Sequence, residues 1–181
     1  MIELIIGGAR SGKSARAEQR AEASGMPVTY IATGQAGDAE MAQRIAHHQQ
    51  QRPTHWTLVE EPLCLAGGLR KHAAENTCVI VDCLTLWLTN LLCHVDENVS
   101  ATSTTSVNRI LFERETAALF AALVDVPGHI ILVSNEVGWG IVPLGALSRV
   151  FVDEQGRLNQ RIAQLAQRVT LVAAGLPLEL K

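Results

Sequence analysis

Residues 7–14, Gly7-Gly8-Ala9-Arg10-Ser11-Gly12-Lys13-Ser14, carry the residue types and spacing that bind phosphate. They meet the pattern G-x-x-x-x-G-K-[ST] at every fixed position. Glycines let successive backbone N–H groups turn toward an anion with no Cβ in the way. A helix starting at the end of the loop adds its unpaired N–H groups and the positive end of its dipole. Lys13 is placed to reach the β- and γ-phosphates of a nucleoside triphosphate, and the Ser14 hydroxyl to ligate Mg²⁺. A plain glycine-rich turn is the alternative reading. Against it stand the apolar run Ile2-Glu3-Leu4-Ile5-Ile6 before the loop and the helix-forming residues 14–23 after it. The chain is expected to bind a nucleoside triphosphate.

Further residues suit chemistry at phosphorus. Asp82 closes the apolar run Cys78-Val79-Ile80-Val81, as a Walker B carboxylate closes its strand, and a carboxylate there serves Mg²⁺ or its water shell. His47 and His48 fall in a segment read as helical, with Asp38 as N-cap and an end near residue 50. Glu40, Arg44 and His48 lie at i, i+4 and i+8 on one stripe, from which His47 points about 100° away. An imidazole nitrogen is a competent nucleophile at phosphorus. On residue type alone, a solvated helix surface is the favoured reading for either histidine. Asn135 and Glu136 follow a strand and suit either a second substrate or Mg²⁺. His55, Trp56, Trp87 and Trp139 are weaker candidates, because tryptophan serves more often in cores and interfaces.

These groups need a frame. Strands are expected over residues 28–33, 78–82, 129–134 and 169–173, with a short extended piece over 54–59. Helices are expected over residues 63–74, 84–92, 110–124 and 157–168. Residues 96–108, rich in Ser, Thr and Asn, read as a surface excursion. Gly175-Leu176-Pro177 is expected to turn the chain into an antiparallel edge strand over 178–180. Such alternation predicts an α/β P-loop fold, a mainly parallel sheet with helices on both faces, formed by residues 1–181 as a single domain.

Composition narrows the class. The chain has 181 residues, 48% hydrophobic and 18% charged, enough for one full core. A net charge of −3 with no basic run argues against a nucleic-acid partner and against a motor on nucleic acid. Cys64, Cys78, Cys83 and Cys93 each sit in an apolar stretch and form no C-x-x-C pair, so buried free thiols in a reducing cytoplasm are expected. The first strand and loop leave no room for a signal peptide, and no apolar run is long enough to span a membrane.

Four further motifs accompany GGARSGKS: IATGQAGDAEMAQRIAHHQQQRP over residues 31–53, VDCLTLWLTNLL over 81–92, VSNEVGWGIVP over 133–143 and GRLNQRIA over 156–163. In this combination and order the chain closely resembles the bifunctional adenosylcobinamide kinase/adenosylcobinamide-phosphate guanylyltransferase family of cobalamin biosynthesis. Residues 96–108 alone lack the family pattern. The resemblance implies a RecA-like core, a homotrimer and two reactions. Adenosylcobinamide is phosphorylated with ATP or GTP, and GMP then passes from GTP to that phosphate through a covalent GMP–histidine. The family pattern R-I-x-x-H puts this histidine on His48, with His47 the runner-up. The implied nucleotide contacts are the P-loop, Ala32, Thr33 and Gly34, Gln49, Gln50, Gln51 and Arg52, Glu60 and Asp82. Glu60 suits the N1–H and N2–H₂ donors of guanine, and Arg52 suits a phosphate.

Overall fold

Strands covered on both faces need continuous apolar runs rather than alternating ones. The computed structural model, which describes residues 1–35, 53–94 and 109–181, places such runs at the centre of one seven-stranded sheet. Its strands are β1 (Ile2–Gly7), β2 (Val28–Ala32), β3 (Thr57–Glu60), β4 (Cys78–Asp82), β5 (His129–Asn135), β6 (Arg168–Ala173) and β7 (Leu176–Glu179). The described helices are α1 (Lys13–Ala23), α2 (Leu65–His72), α3 (Leu84–Cys93), α4 (Arg109–Asp125) and α5 (Ala146–Leu165). The helix expected near residues 38–50 and the excursion at 96–108 lie outside the described residues.

Strand order is β3-β2-β4-β5-β1-β6-β7, parallel throughout except for the antiparallel β6–β7 pair. One strand, β5, therefore separates the P-loop strand β1 from the strand that ends in Asp82. Alternate side chains of the strands feed two cores. Leu4, Val79, Val81, Ile130 and Leu132 pack with Leu69, Trp87, Leu119, Leu158 and Ile162 from α2, α3, α4 and α5. On the opposite face Ile5, Tyr30, Ile80, Ile131 and Val133 meet Ala17 and Ala21 of α1, whose small side chains let that helix lie close.

Several sequence expectations need correcting. Helix α5 begins at Ala146 rather than at residue 157, because Gly156 sits inside it. A mid-helix glycine costs about 1 kcal/mol against alanine, which the burial of Gln155, Leu158, Asn159 and Ile162 outweighs. The helix ends at Leu165, and Arg168 joins β6 opposite Glu3. The last turn is made by Ala174 and Gly175, at φ of 51° and 80°, so β7 already begins at Leu176. Pro177 then pairs opposite Val172 in an edge strand, where a missing N–H is tolerated. Helix α2 is shorter than expected at both ends. Of the four free cysteines, Cys78 and Cys83 are buried, but Cys64 and Cys93 are exposed. The apolar neighbours of these two face the core while the thiols fall at helix ends, Cys64 before α2 and Cys93 at the last residue of α3.

One charged cluster is built into the face beneath α1. Glu3 is fully buried in β1; Arg20 of α1 grips both its oxygens at 3.0–3.2 Å, and His129 Nε2 lies 3.3 Å from Oε2. Burial alone would raise the Glu3 pKa, but hydrogen bonds from His129 and Arg20, and their charge, hold it below the ordinary glutamate value. Arg20→Leu leaves that carboxylate buried with one partner fewer, and the expected loss is about 3 kcal/mol in urea denaturation at pH 7. Because the folded pKa is depressed, the stabilisation from Glu3 is full above its unfolded pKa and lost as pH falls through the folded one. A pH series on the wild type should show that acid-side decline, and Arg20→Leu a weaker one.

Candidate functional site

In a parallel sheet, ligands sit beyond the carboxyl ends of the strands, where connecting loops diverge. Here those ends carry the P-loop after β1, Thr33 after β2, Glu60 on β3, Asp82 on β4 and Asn135 on β5. Gly12, at φ 98°, is the residue before α1; it gives no side-chain cap, and the first turn of α1 holds no acidic residue. The first N–H groups of α1 are thus unclaimed by side chains, which suits an anion. Gly7 is needed for space, since a Cβ there would lie 2.4 Å from the Val172 carbonyl oxygen. Gly8, Ala9 and Arg10 are exposed, and Arg10 takes a left-handed φ of 57°.

Neighbouring groups hold the loop by its carbonyls. The Glu136 N–H donates to Gly7 O at 3.1 Å and the Gly175 N–H to Ser11 O at 2.8 Å. Lys13 is buried, and its Nζ donates to Gly8 O at 2.8 Å. Burial lowers the Lys13 pKa, which the nearby Cys83 and Asp82 groups partly offset. An arriving phosphate can take over that ammonium. The Ser11 hydroxyl oxygen is buried with no hydrogen-bond partner among the described residues, and Ser14 is half-buried one residue beyond Lys13.

Asp82, half-buried, accepts a hydrogen bond from Tyr30 Oη at 2.7 Å. The following residue is fixed by Thr33, whose hydroxyl donates to Cys83 O at 2.7 Å and accepts from Cys83 N–H at 2.9 Å. Asn90 of α3 donates to the carbonyls of Thr33 and Pro62, tying Ala32-Thr33-Gly34 to the chain after β3. Burial, and next the Asp82 charge, push the Cys83 thiol up to about 11, so it is no nucleophile at neutral pH. Glu60 ends β3 opposite Ala32 and is exposed. The turn toward α2 is made instead by Glu61, whose Oε1 accepts from the N–H groups of Leu63 and Cys64.

Sequence reasoning missed a polar network behind Asn135 and Glu136. Ser134 Oγ donates to Asn159 Oδ1 at 2.6 Å; Gln155 Nε2 donates to Ser134 Oγ at 2.9 Å and to Asn159 Oδ1 at 3.2 Å. Asn159 Nδ2 donates to Asn135 O at 3.1 Å and to Glu136 Oε1 at 2.9 Å. The signal was present as two amides one turn apart on the apolar stripe of GRLNQRIA and the residue before it.

His47, His48, Gln49, Gln50, Gln51 and Arg52 lie outside the described residues. Trp56 and Trp87 are core residues, whereas Trp139 is exposed. A cleft of about 250 Å³ between α4 and α5 is lined by Phe112, Phe120, Arg157 and Arg161 among others, and by no residue of the P-loop. The P-loop remains the candidate site, because it takes phosphate on exposed backbone and needs no deep cavity. No described helix is long and apolar enough to cross a membrane.

Comparison with known proteins agrees with the motifs. The sequence pattern of the cobinamide kinase / cobinamide phosphate guanyltransferase family matches residues 3–180. The bifunctional adenosylcobalamin biosynthesis protein CobP of Pseudomonas aeruginosa is 55% identical over 181 residues, covering 100% of this chain and 98% of that protein. The proteins of the same description named CobU from Escherichia coli and Salmonella typhimurium are each 40% identical, with 100% of both chains covered. A crystal structure of the RadB recombinase aligns with a TM-score of 0.45 at 16% identity, over 94% of this chain and 73% of that one.

Thr33→Val removes one hydroxyl and leaves the Cys83 N–H and C=O without it. The expected cost is about 2 kcal/mol, read by urea denaturation against wild type, with the transition slope unchanged.

Proposed function

Because the chain belongs to the cobinamide kinase / cobinamide phosphate guanyltransferase family, we propose that it phosphorylates adenosylcobinamide with ATP or GTP and then guanylylates the product with GTP, giving adenosylcobinamide-GDP. The observation that carries the nucleotide half is the P-loop itself, with its helix N-terminus uncapped and Lys13 Nζ resting on Gly8 O. Residues 7–14 wrap the phosphates, and Lys13 follows the charge that builds on the transferred group. Ser14 and Asp82 offer the hard oxygen donors that Mg²⁺ prefers, and the Asp82 charge reaches Lys13, so these residues fit the ion. Bound there, Mg²⁺ would neutralise phosphate charge. Asp82 ends β4 at the same edge of the sheet, which also suits a direct contact with nucleotide.

In the second reaction His48 is the nucleophile. An imidazole nitrogen attacks the α-phosphorus of GTP, pyrophosphate leaves with the electron pair of the broken bond, and GMP stays on the histidine as a phosphoramidate. A phosphate oxygen of adenosylcobinamide phosphate then attacks the same phosphorus and frees His48. Gln49, Gln50, Gln51 and Arg52 follow the nucleophile as nucleotide contacts, and Ala32, Thr33 and Gly34 line the same strand ends. Glu60 is exposed, and the turn toward α2 is bonded by Glu61 instead, which leaves the Glu60 carboxylate available to guanine. The protein acts in the cytoplasm as a single-domain subunit of a homotrimer. Self-association is supported by Trp139, Ile141, Val142 and Leu144, four large apolar residues within six positions and 72–98% exposed.

Intact-protein mass after incubation with GTP and Mg²⁺ tests the mechanism. Wild type should gain an acid-labile, GMP-sized adduct that His48→Ala lacks. An adduct that persists in His48→Ala moves the role to His47, and no adduct on either leaves a kinase alone. For the assembly, the double variant Ile141→Asp/Leu144→Asp should elute as monomer in light-scattering chromatography where wild type elutes as trimer. A wild-type monomer would end that part of the reading.

A further inference from the structure

No nucleotide contact is assigned to the amide network on α5, yet the fold maintains it at a cost. Asn159 and Gln155 are 5% and 0% exposed, and Ser134 is fully buried. Gln155 Oε1 and Asn135 Oδ1 are buried with no hydrogen-bond partner among the described residues. A half-satisfied polar cluster is worse for stability than an apolar one of the same shape. Such clusters survive where they position something.

What this one positions is a carboxylate. Ser134 and Gln155 both donate to Asn159 Oδ1, so the amide has only one orientation, with Nδ2 turned toward Glu136. Asn159 takes Oε1 alone; among the described residues Glu136 Oε2 has no hydrogen-bond partner and no cation pairs with the group. The Glu136 N–H is bonded to Gly7 O, which sets this residue at the first residue of the P-loop. In the sheet, β5 runs between the Asp82 strand and the P-loop strand, so Glu136 stands between the two groups assigned to the nucleotide. A half-buried carboxylate there, with one oxygen held and the other open, is placed for a proton rather than for an ion pair.

We propose that Glu136 accepts the proton of the phosphoryl-acceptor hydroxyl, and that Asn159 is the positioning residue that aims it. The inference rests on the kinase reading above. The hydroxyl oxygen of the cobinamide arm attacks the γ-phosphorus, and a new O–P bond forms as the bond to the β,γ-bridging oxygen breaks. The nucleoside diphosphate leaves with that electron pair, and the hydroxyl proton passes to Glu136 Oε2.

Steady-state phosphorylation of adenosylcobinamide tests the idea, with nucleotide affinity measured separately by calorimetry. Glu136→Gln keeps its size and the hydrogen bond from Asn159 but takes no proton. Its kcat should fall about 100-fold, with KM for nucleotide within about twofold of wild type. Asn159→Ala should lower kcat about tenfold by letting the carboxylate drift. Asn159→Asp sets a second carboxylate against the first and should fall below Asn159→Ala. If Asn159 only fills space, the near-isosteric aspartate ranks above alanine, and the positioning role is overturned. A Glu136→Gln rate restored by raised Mg²⁺, or a loss confined to nucleotide KM, overturns the proton role. Should Asn159→Ala not fold, Glu136→Gln at the half-buried rim still decides. Wild type that binds nucleotide but phosphorylates no adenosylcobinamide overturns the kinase reading and this proposal together; normal turnover by Glu136→Gln overturns this proposal alone.

Discussion

A loop that offers its N–H groups to an anion has to be held by something else. In this protein it is held by its carbonyls. Gly7 O, Gly8 O and Ser11 O accept from the Glu136 N–H, Lys13 Nζ and the Gly175 N–H. Those donors come from the residue after β5, from α1 and from the turn between β6 and β7, so three parts of the chain fix one loop. Space is as strict as bonding, since the Val172 carbonyl fills the volume a Cβ on Gly7 would need. The remaining architecture follows from keeping these elements in register.

Sheet order is what brings the other polar groups to the same edge. With β5 between β4 and β1, Asp82, Asn135 and Gly7 end neighbouring strands, and the helices after β4 and β5 carry Asn90 back to Thr33 and Asn159 back to Asn135. The two faces of the sheet divide the work. Beneath α1 the buried Glu3–Arg20–His129 cluster fixes the helix that bears Lys13 and Ser14. On the other face α3 and α5 reach the strand ends through amides, which hydrogen-bond in fixed directions where apolar contacts do not.

Much of this was legible before any coordinates. Runs such as Val79-Ile80-Val81 and Ile130-Ile131-Leu132 read as strands because nothing polar interrupts them, and the P-loop pattern set the first turn of the fold. What escaped depends on partners distant in sequence. Glu3 looks like an interruption in an apolar run until Arg20 and His129 are seen around it. Gly156 reads as a helix boundary when local propensity is weighed alone, but buried neighbours on both sides carry the helix through it. Asn159 was visible inside GRLNQRIA as part of a pattern, while its role as a brace for Glu136 required β5 alongside. Glu60 and Glu61 are adjacent and chemically alike, and only the geometry of the turn tells which one bonds its backbone. Cys64 and Cys93 were assigned to the core from neighbours whose side chains point the other way.

The tie between Ser11 and Gly175 also sets an order of events during protein synthesis. The phosphate-binding loop leaves the ribosome well before the backbone that closes over it, Val172 to Gly175. Contacts this remote in sequence form late and slowly. A nascent chain therefore carries an incomplete loop until Gly175 has been made, and nucleotide can stabilise only the finished fold.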